Sequence, residues 1–182
     1  MSGFPEAIRV STKGFASEEE CAQVDPAVEM LAALASVPKG SIREFVTDLG
    51  KFMLTLPEEL RVDPPVEHHF SPGLYAREMF APKGSLIISK IHKVGCIAIV
   101  SKGDVTILTE EGLRRFKAPA TIISRPGTRR MGYFHEDTVF TAVFATDETD
   151  IEKIEQEIAT DDFSEAPELF INGEIVQAQE VQ

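Results

Sequence analysis

The stretch PKGSLIISKIHKVGCIAIVSKGDVTI, Pro82–Ile107, decides the fold class of this chain. Short apolar, β-branched runs alternate in it with glycine, proline and charged residues, a pattern that is typical of strands joined by tight turns. Similar runs recur at intervals of about eight to twelve residues from Glu67 to Thr146. We therefore predict a mainly β fold, with an antiparallel sandwich or small barrel over residues 67–146.

The region before this β segment predicts helices. Residues 1–24 are polar and lack sustained periodicity, so we predict an extended or mobile N-terminal arm. Residues 25–66 predict a helical hairpin and a linker, because Asp25-Pro26 is a helix start signal and Ser41 with Glu44 has the spacing of a capping box. The apolar stripe of this hairpin must pack on the β domain or on another chain.

The region after it, residues 147–182, predicts an acidic helix followed by a hairpin or tail. Ile151, Ile154 and Ile158 form one apolar stripe on an otherwise acidic surface, which suits a helix that lies over the barrel. Asn172-Gly173 stands between two apolar runs and is a strong signal for a tight hairpin. An exposed ribbon of this kind could pair with a neighbouring chain, so we expect a homo-oligomer, a dimer or higher.

Charge and hydropathy exclude several classes of function. The 182 residues carry 30 acidic and 18 basic side chains and a net charge of -12. Phosphate backbones repel such a surface, so we predict no nucleic-acid binding. No apolar run reaches the ~18 residues that a transmembrane helix needs, and residues 1–14 hold no signal-peptide core. We expect a soluble, cytoplasmic protein without membrane contact, in which Cys21 and Cys96 are free thiols.

Two short segments concentrate positive charge in this acidic chain. They are LRRFK, Leu113–Lys117, and RPGTRR, Arg125–Arg130. Either segment could serve a small anionic ligand or an acidic partner. The simpler interpretation is that both are solvated hairpin ends.

The β segment resembles a known superfamily. The run Pro82–Ile107, together with APATIISRPGTRRMGYFHEDTVFTAVFA at Ala118–Ala145, resembles a cupin, the double-stranded β-helix barrel. With HHFSPGLYAREMF at His68–Phe80, it is also similar to uncharacterised cupin-like proteins of tailed bacteriophages. The resemblance implies a single barrel and a phage-encoded protein of the host cytoplasm or of the virion. It does not by itself imply an activity.

The cupin resemblance also places a set of ligand positions. The cupin metal motif is His-x-His-x-x-x-Glu with a later histidine. Alignment on Gly103 puts Lys90, His92 and Cys96 at the first three places, and counting from the Pro126-Gly127 turn puts the later ligand near Arg130. Of these residues, His92 keeps the ligand type and Cys96 is a chemically possible substitute. The cationic Lys90 and Arg130 would repel a metal ion and would instead suit a carboxylate or phosphate group.

A metal site remains an alternative for the same region. If no bulge intervenes at Val94-Gly95, His92 and Cys96 lie at i and i+4 of one strand and face the same side. His135 would then complete a ligand set for zinc, iron or manganese with an open position, provided that its turn folds over the barrel mouth. In the other interpretation, Cys96 is a small buried hydrophobe and His92 is a hydrogen-bonded pocket residue.

Three further positions are candidates for a functional site, and the first of them has two interpretations. Glu78 lies between apolar residues and could be a general acid or base, or the salt-bridge partner of a nearby cation. Tyr133 could line the pocket. The adjacent His68 and His69 point to opposite faces of a strand, so at most one of them could join a site with His92.

These observations support three hypotheses. The first, which we favour, is a non-catalytic module without a cofactor that binds a small polar or anionic ligand, or a protein partner, at the barrel mouth through Lys90, His92, Cys96, Arg130 and Tyr133. The second is a metal-dependent enzyme, a dioxygenase or isomerase, with Glu78 as the acid or base. The third is a structural, assembly or host-interaction protein of a phage, whose helical hairpin and tail make the contacts.

Overall fold

The structure of the protein is a computed structural model that describes residues 7–9, 39–168, 170–171 and 174–175. The helices are α1 (Lys39–Thr55) and α2 (Ile151–Ile158). The strands before the hairpin at Thr109–Gly112 are β1 (Ala7–Arg9), β2 (Arg61–Val62), β3 (Val66–Ser71), β4 (Leu74–Ala81), β5 (Ser85–Ile88), β6 (Ile91–His92), β7 (Cys96–Lys102) and β8 (Asp104–Thr109). The strands after it are β9 (Gly112–Lys117), β10 (Ala120–Ser124), β11 (Met131–Phe134), β12 (Thr138–Ala145), β13 (Ala159–Thr160), β14 (Phe170–Ile171) and β15 (Glu174–Ile175).

The strands of the β domain pair in a nested, antiparallel order. The tight hairpin β8–β9 lies innermost, and the pairs β7–β10, β5–β11 and β4–β12 follow outward along the chain. This nesting produces sheet A, in the order β2-β1-β5-β11-β8-β9, and sheet B, in the order β10-β7-β12-β4-β3. Two sheets built in this way form the double-sheet jelly roll that cupins share. The mainly β, antiparallel prediction is therefore confirmed, but the sheets form an open sandwich rather than a closed barrel.

The side chains of sheet A alternate between two apolar environments. Ile87, Ile107 and Phe134 face sheet B and pack in the cluster between the sheets. Their neighbours face outward and pack under α1, and they are Leu86, Ile88, Leu108, Met131 and Tyr133. Because both faces are covered, the four residues of β5 are all buried. A strand buried on both faces has a continuous apolar run in its sequence, as the Leu-Ile-Ile of β5 does here.

Helix α1 covers the outer face of sheet A. Its residues Ile42, Val46 and Met53 are buried against that sheet. The same helix carries Arg43, whose Nε donates to the Glu110 Oε1 at 2.9 Å. The first helix of the predicted hairpin, over residues 25–38, lies outside the described residues. In the described part of the chain, neither helix has both the length and the apolar character that crossing a bilayer requires.

Helix α2 covers one end of the sandwich. The Asp150 carboxylate caps it and accepts hydrogen bonds from the backbone N–H groups of Glu152 and Lys153. Ile154 and Ile158 are buried in a cluster that includes Tyr75, Cys96 and Phe144. Directly after the helix, β13 pairs with β6 and so joins this cap to the strand that carries His92.

The two ends of the chain are described only in short pieces. Within the predicted N-terminal arm, β1 pairs with both β2 and β5 as a strand of sheet A. At the other end, β14 and β15 pair with Phe170 opposite Ile175, so the predicted hairpin has its two strands. The turn at Asn172-Gly173, like Cys21, lies outside the described residues.

Candidate ligand pocket between the sheets

A cavity of about 100 Å³ lies between the two sheets, next to the end that α2 covers. Its walls are mainly aromatic and aliphatic, and small residues at Gly132 and Ala142 leave room between Phe134, Phe140 and Phe144. Four polar residues with nitrogen-bearing side chains also line it, and they are Arg77, Lys90, His92 and Arg130. No Asp or Glu is among the lining residues in the described part of the chain. The cavity of this strongly acidic protein therefore concentrates positive charge.

Arg130 is the most deeply buried of the three cationic residues in this set, which are Arg77, Lys90 and Arg130. It stands directly before β11, where its backbone N–H donates to the Ser89 Oγ at 3.0 Å, and its exposed fraction is 7%. Its Nη2 donates to the Cys96 Sγ at 3.5 Å, and its guanidinium carbon lies 5.9 Å from the centre of the Phe140 ring. Within the described ranges no carboxylate pairs with it, and burial lowers its pKa. The Arg130 guanidinium is thus buried in a mainly apolar cavity, and none of the described residues supplies an acidic partner for it.

The Cys96 thiol does not neutralise this guanidinium. Burial raises the pKa of Cys96, and the charge of Arg130 only opposes that effect. The sulfur is therefore a neutral thiol at neutral pH, and its contact with Arg130 is a weak one. The cysteine itself is free and buried.

His92 is a neutral pocket residue. Its Nδ1 lies 3.2 Å from the Ser124 Oγ and 3.7 Å from the Cys96 Sγ. Burial, with the charge of Arg130 as the second cause, lowers the pKa of His92 to about 3. The register explains the grouping, because Ser124 at the end of β10 is paired with Cys96 at the start of β7.

The strands that carry His92 and Cys96 differ from the sequence prediction. The two residues do not lie at i and i+4 of one strand, because a bend at residues 93–95 separates β6 from β7. The two side chains still meet, with 3.7 Å between the His92 Nδ1 and the Cys96 Sγ. A Cβ on Gly95 would lie 3.2 Å from the Ser124 carbonyl oxygen, so this close approach favours glycine.

The other two cations have acidic groups nearby. Lys90 Nζ lies 3.7 Å from the Asp161 Oδ2. Burial lowers the pKa of Arg77, and the acidic groups of Tyr75, Glu155 and Asp63 oppose that shift. Arg130 therefore differs from both in having a thiol and a ring as its neighbours.

Three predicted site residues lie away from this cavity. Tyr133 occupies the outer face of β11 in the cluster under α1, since Gly132 and Phe134 take the inner positions. Glu78 occupies the outer face of β4, where its Oε2 accepts from the Thr141 Oγ1 at 3.0 Å. His135 follows β11, and its Nε2 lies 2.7 Å from the Thr106 Oγ1.

Arg77 lines the cavity, although the sequence interpretation passed over it. Tyr75, Arg77 and Met79 alternate inward along β4, and Glu78 is the residue that faces out. The sequence does indicate the inward position of Arg77, because alternation along YAREMF places this arginine on the same face of the strand as the tyrosine and the methionine.

The residues around His92 do not fit the metal that the cupin resemblance implies. Arg130 lies 3.5 Å from the candidate Cys96 ligand and would repel a cation there. Among the described residues, His92, Cys96 and His135 do not form a group whose ligand atoms lie within 4.8 Å of one another. Metal binding by His92, Cys96 and His135 is therefore still only a prediction, and the distances and charges around these residues argue against it.

The neutral state of His92 makes the stability of the protein depend on pH. An unfolded histidine has a pKa of about 6.5, so below that pH the unfolded state binds a proton that the folded state does not take up until about pH 3. The free energy of unfolding should therefore fall as the pH drops from 6.5 towards 3, by about 2 kcal/mol between pH 7 and pH 5. In His92→Gln this part of the pH dependence should disappear. Urea denaturation of both proteins at several pH values measures it, and parallel curves would contradict it.

Among known proteins, only the comparison with solved structures finds proteins similar to this chain. No family model matches the chain, and no curated protein matches it. Among solved structures, KdgF from Halomonas sp. aligns with a TM-score of 0.41 at 17% identity over 47% of this chain and 79% of that chain. An acetylacetone dioxygenase from Acinetobacter johnsonii aligns with a TM-score of 0.37 at 18% identity, covering 50% and 71%.

A third similar structure is a member of the cupin family. It is an RmlC-like cupin family protein with a double-stranded β-helix fold from Methanocaldococcus jannaschii, with a TM-score of 0.39 at 15% identity over 47% of this chain and 82% of that chain. The structural neighbours include cupin and RmlC-like proteins. Because these TM-scores lie below 0.5, the fold assignment rests on the nested strand pairing of this chain, which is that of a jelly roll.

Proposed function

We propose that the protein is a non-catalytic binding module that holds a small carboxylate compound in the cavity between its sheets. The observation that carries this proposal is Arg130, a buried guanidinium whose neighbours are a thiol and an aromatic ring. A buried charge without a partner costs several kcal/mol, and proteins normally pair such charges. A carboxylate ligand would supply the missing partner and would accept two parallel hydrogen bonds from the guanidinium.

The cavity walls suggest what the rest of the ligand is like. Phe134, Phe140 and Phe144 surround the space beside Arg130, and the space itself amounts to about 100 Å³. A compact, mostly apolar acid fits such a lining better than a sugar or a nucleotide, which would bury many hydroxyl groups without partners. Lys90 and Arg77 add positive potential along the cavity wall and would favour the approach of an anion.

His92 supports binding rather than catalysis. A general base works best when its pKa lies near the operating pH, whereas the pKa of His92 is lowered to about 3. Glu78, the other candidate for acid or base chemistry, lies on the outer face of sheet B. A neutral imidazole can still orient a ligand oxygen through a hydrogen bond.

A ligand screen by thermal unfolding tests the proposal. Small carboxylic acids with aliphatic or aromatic bodies should raise the unfolding temperature of the wild-type chain, while the matching alcohols and amides should not. A ligand at 100 times its dissociation constant stabilises the native state by about 2.7 kcal/mol. The proposal fails if none of the acids shifts the transition more than its uncharged counterpart does.

We propose self-association as a second property, because the outer face of sheet B exposes a patch of isoleucines. Ile97, Ile99 and Ile123 have exposed fractions of 47%, 36% and 69%. Ile97 and Ile123 lie opposite each other in the ladder, so their side chains form one continuous surface. A second copy of the chain offers a matching apolar surface, and contiguous exposed apolar patches can serve as interaction sites. This property would also suit the structural or phage-assembly hypothesis.

Light scattering during size-exclusion chromatography tests self-association. The wild-type chain should elute as a dimer or larger species, and Ile123→Lys should shift it towards the monomer because a charge would enter the interface. Val94→Lys is a matched control, since Val94 is exposed in the bend between β6 and β7 rather than on the sheet face. A monomeric wild-type chain, or equal behaviour of both variants, would refute the proposal.

A further inference from the structure

The outer face of sheet B carries a second cluster of polar side chains, at the edge formed by β3 and β4. Glu67 and His69 are two residues apart on β3 and therefore point to the same face. Glu78 on β4 is the direct ladder partner of Glu67. One donor atom from each of these three residues lies within 4.8 Å of the other two.

The charges of this cluster are unbalanced. Like charges directly opposite each other in a ladder destabilise the strand pair, and the Glu67–Glu78 pair has that arrangement. His69 Nε2 lies 3.9 Å from the Glu78 Oε1, which is too long for a hydrogen bond. A cation placed among the three donors would offset the repulsion between the two carboxylates.

A third strand orients one of the carboxylates. Thr141 on β12 is the ladder partner of Glu78, and its Oγ1 donates to the Glu78 Oε2 at 3.0 Å. The other oxygen, Oε1, is the one nearest His69. Hydrogen bonds of this kind, from a neighbouring group to a ligating carboxylate, are typical of metal sites. Donors fixed on paired strands also hold their positions better than donors on loops.

We infer that Glu67, His69 and Glu78 form a binding site for a divalent transition metal of the zinc type. Two carboxylate oxygens and one imidazole nitrogen make a three-residue ligand set with a remaining position for water. The imidazole favours zinc-like ions over magnesium and calcium, which prefer oxygen ligands alone. The bound metal ties the edge strand β3 to β4.

This site is separate from the cavity between the sheets. Adjacent residues of a strand point to opposite faces, and His68 accordingly lies on the inner side, where its Nδ1 is 2.7 Å from the Tyr75 hydroxyl oxygen. His92, Cys96 and Arg130 also lie on that inner side. The metal site and the anion pocket can therefore be tested independently of each other.

Competition with a chromophoric chelator, on full-length protein freed of metal, tests the site with zinc ions. The wild-type chain should take up one equivalent of zinc, and its unfolding temperature should rise. His69→Gln and Glu78→Gln should each weaken binding by about tenfold or more and abolish the thermal shift. All three residues are on the surface or partly exposed, so circular dichroism in excess chelator should show folded variants.

Two control variants make the result decisive. His68→Gln removes the neighbouring histidine on the other face, and Cys96→Ser removes the buried thiol beside Arg130. Both variants should bind zinc as the wild-type chain does. The inference is overturned if the wild-type chain takes up no zinc. It is equally overturned if His69→Gln binds as tightly as the wild-type chain, or if binding is lost in Cys96→Ser.

Discussion

Replacing Arg43 by alanine should lower the free energy of unfolding by about 3–5 kcal/mol, since removing one partner of a buried ion pair leaves the other charge uncompensated. Arg43 and Glu110 have exposed fractions of 7% and 1%, with 2.9 Å between Nε and Oε1. The same guanidinium donates to the Gly127 carbonyl oxygen at 3.0 Å and stacks 4.5 Å from the centre of the Phe163 ring. The loss therefore affects α1, the β8–β9 turn and the segment after α2 together.

Urea denaturation measures this loss, and a double variant identifies its cause. Burial raises the pKa of Glu110 even with Arg43 beside it, so the lone carboxylate of Arg43→Ala should be costly to keep charged. Arg43→Met with Glu110→Gln removes both charges, and it should recover much of the stability that Arg43→Ala loses. A loss below about 1 kcal/mol in Arg43→Ala would mean that this pair behaves as an exposed one.

Replacing Arg130 by methionine should change stability in the opposite direction. In the absence of ligand, the free energy of unfolding should increase by about 1–4 kcal/mol, because an apolar side chain of similar length replaces a buried charge. The cavity walls are apolar and accept methionine, which fills irregular spaces well. Arg125→Met, at an arginine that is 52% exposed, is the matched control for the lost charge and should be nearly neutral.

The contrast between these two arginines distinguishes structural from binding roles. Arg43 has a carboxylate partner at hydrogen-bond distance, so its removal breaks a completed pair. Arg130 has the Cys96 thiol as its side-chain hydrogen-bond partner within the described ranges, so the folded state bears the cost of its charge. Residues kept for function commonly reduce stability in this way. If Arg130→Met is destabilised as strongly as Arg43→Ala, the guanidinium is structural and the pocket proposal loses its main support.

Much of the β domain could be predicted because local signals and packing agree there. Apolar, β-branched runs mark the strands, and the backbone conformation of the turn at Gly103 favours glycine. Gly103 has a φ of 92°, and a Cβ there would lie 2.7 Å from the Asp137 carbonyl oxygen. Alternation along a strand then determines which residues face the cavity. Alternation predicts that His68 and His69 point to opposite faces, as they do. It also accounts for Arg77 on the inner face of β4 and for Tyr133 on the outer face of β11.

The contacts that the sequence could not predict are those between distant residues. Arg43 and Glu110 are 67 positions apart, and nothing in either neighbourhood indicates that they meet. Arg130 lies in a basic segment whose sequence favours a solvated hairpin end, yet its side chain is buried and lines the cavity. The resemblance to phage proteins, the oligomeric state and the ligand stay predictions.

Calorimetric titration measures whether Arg130 anchors a carboxylate in the cavity between the sheets. The acid that gives the largest thermal shift is titrated into the wild-type chain, Arg130→Met and Arg125→Met under identical conditions. The wild-type chain and Arg125→Met should bind one equivalent with the same affinity. Arg130→Met should lose a charge-assisted pair worth about 1.5–3 kcal/mol, a loss of roughly tenfold to a hundredfold in affinity. Equal affinity of Arg130→Met and the wild-type chain would contradict the account.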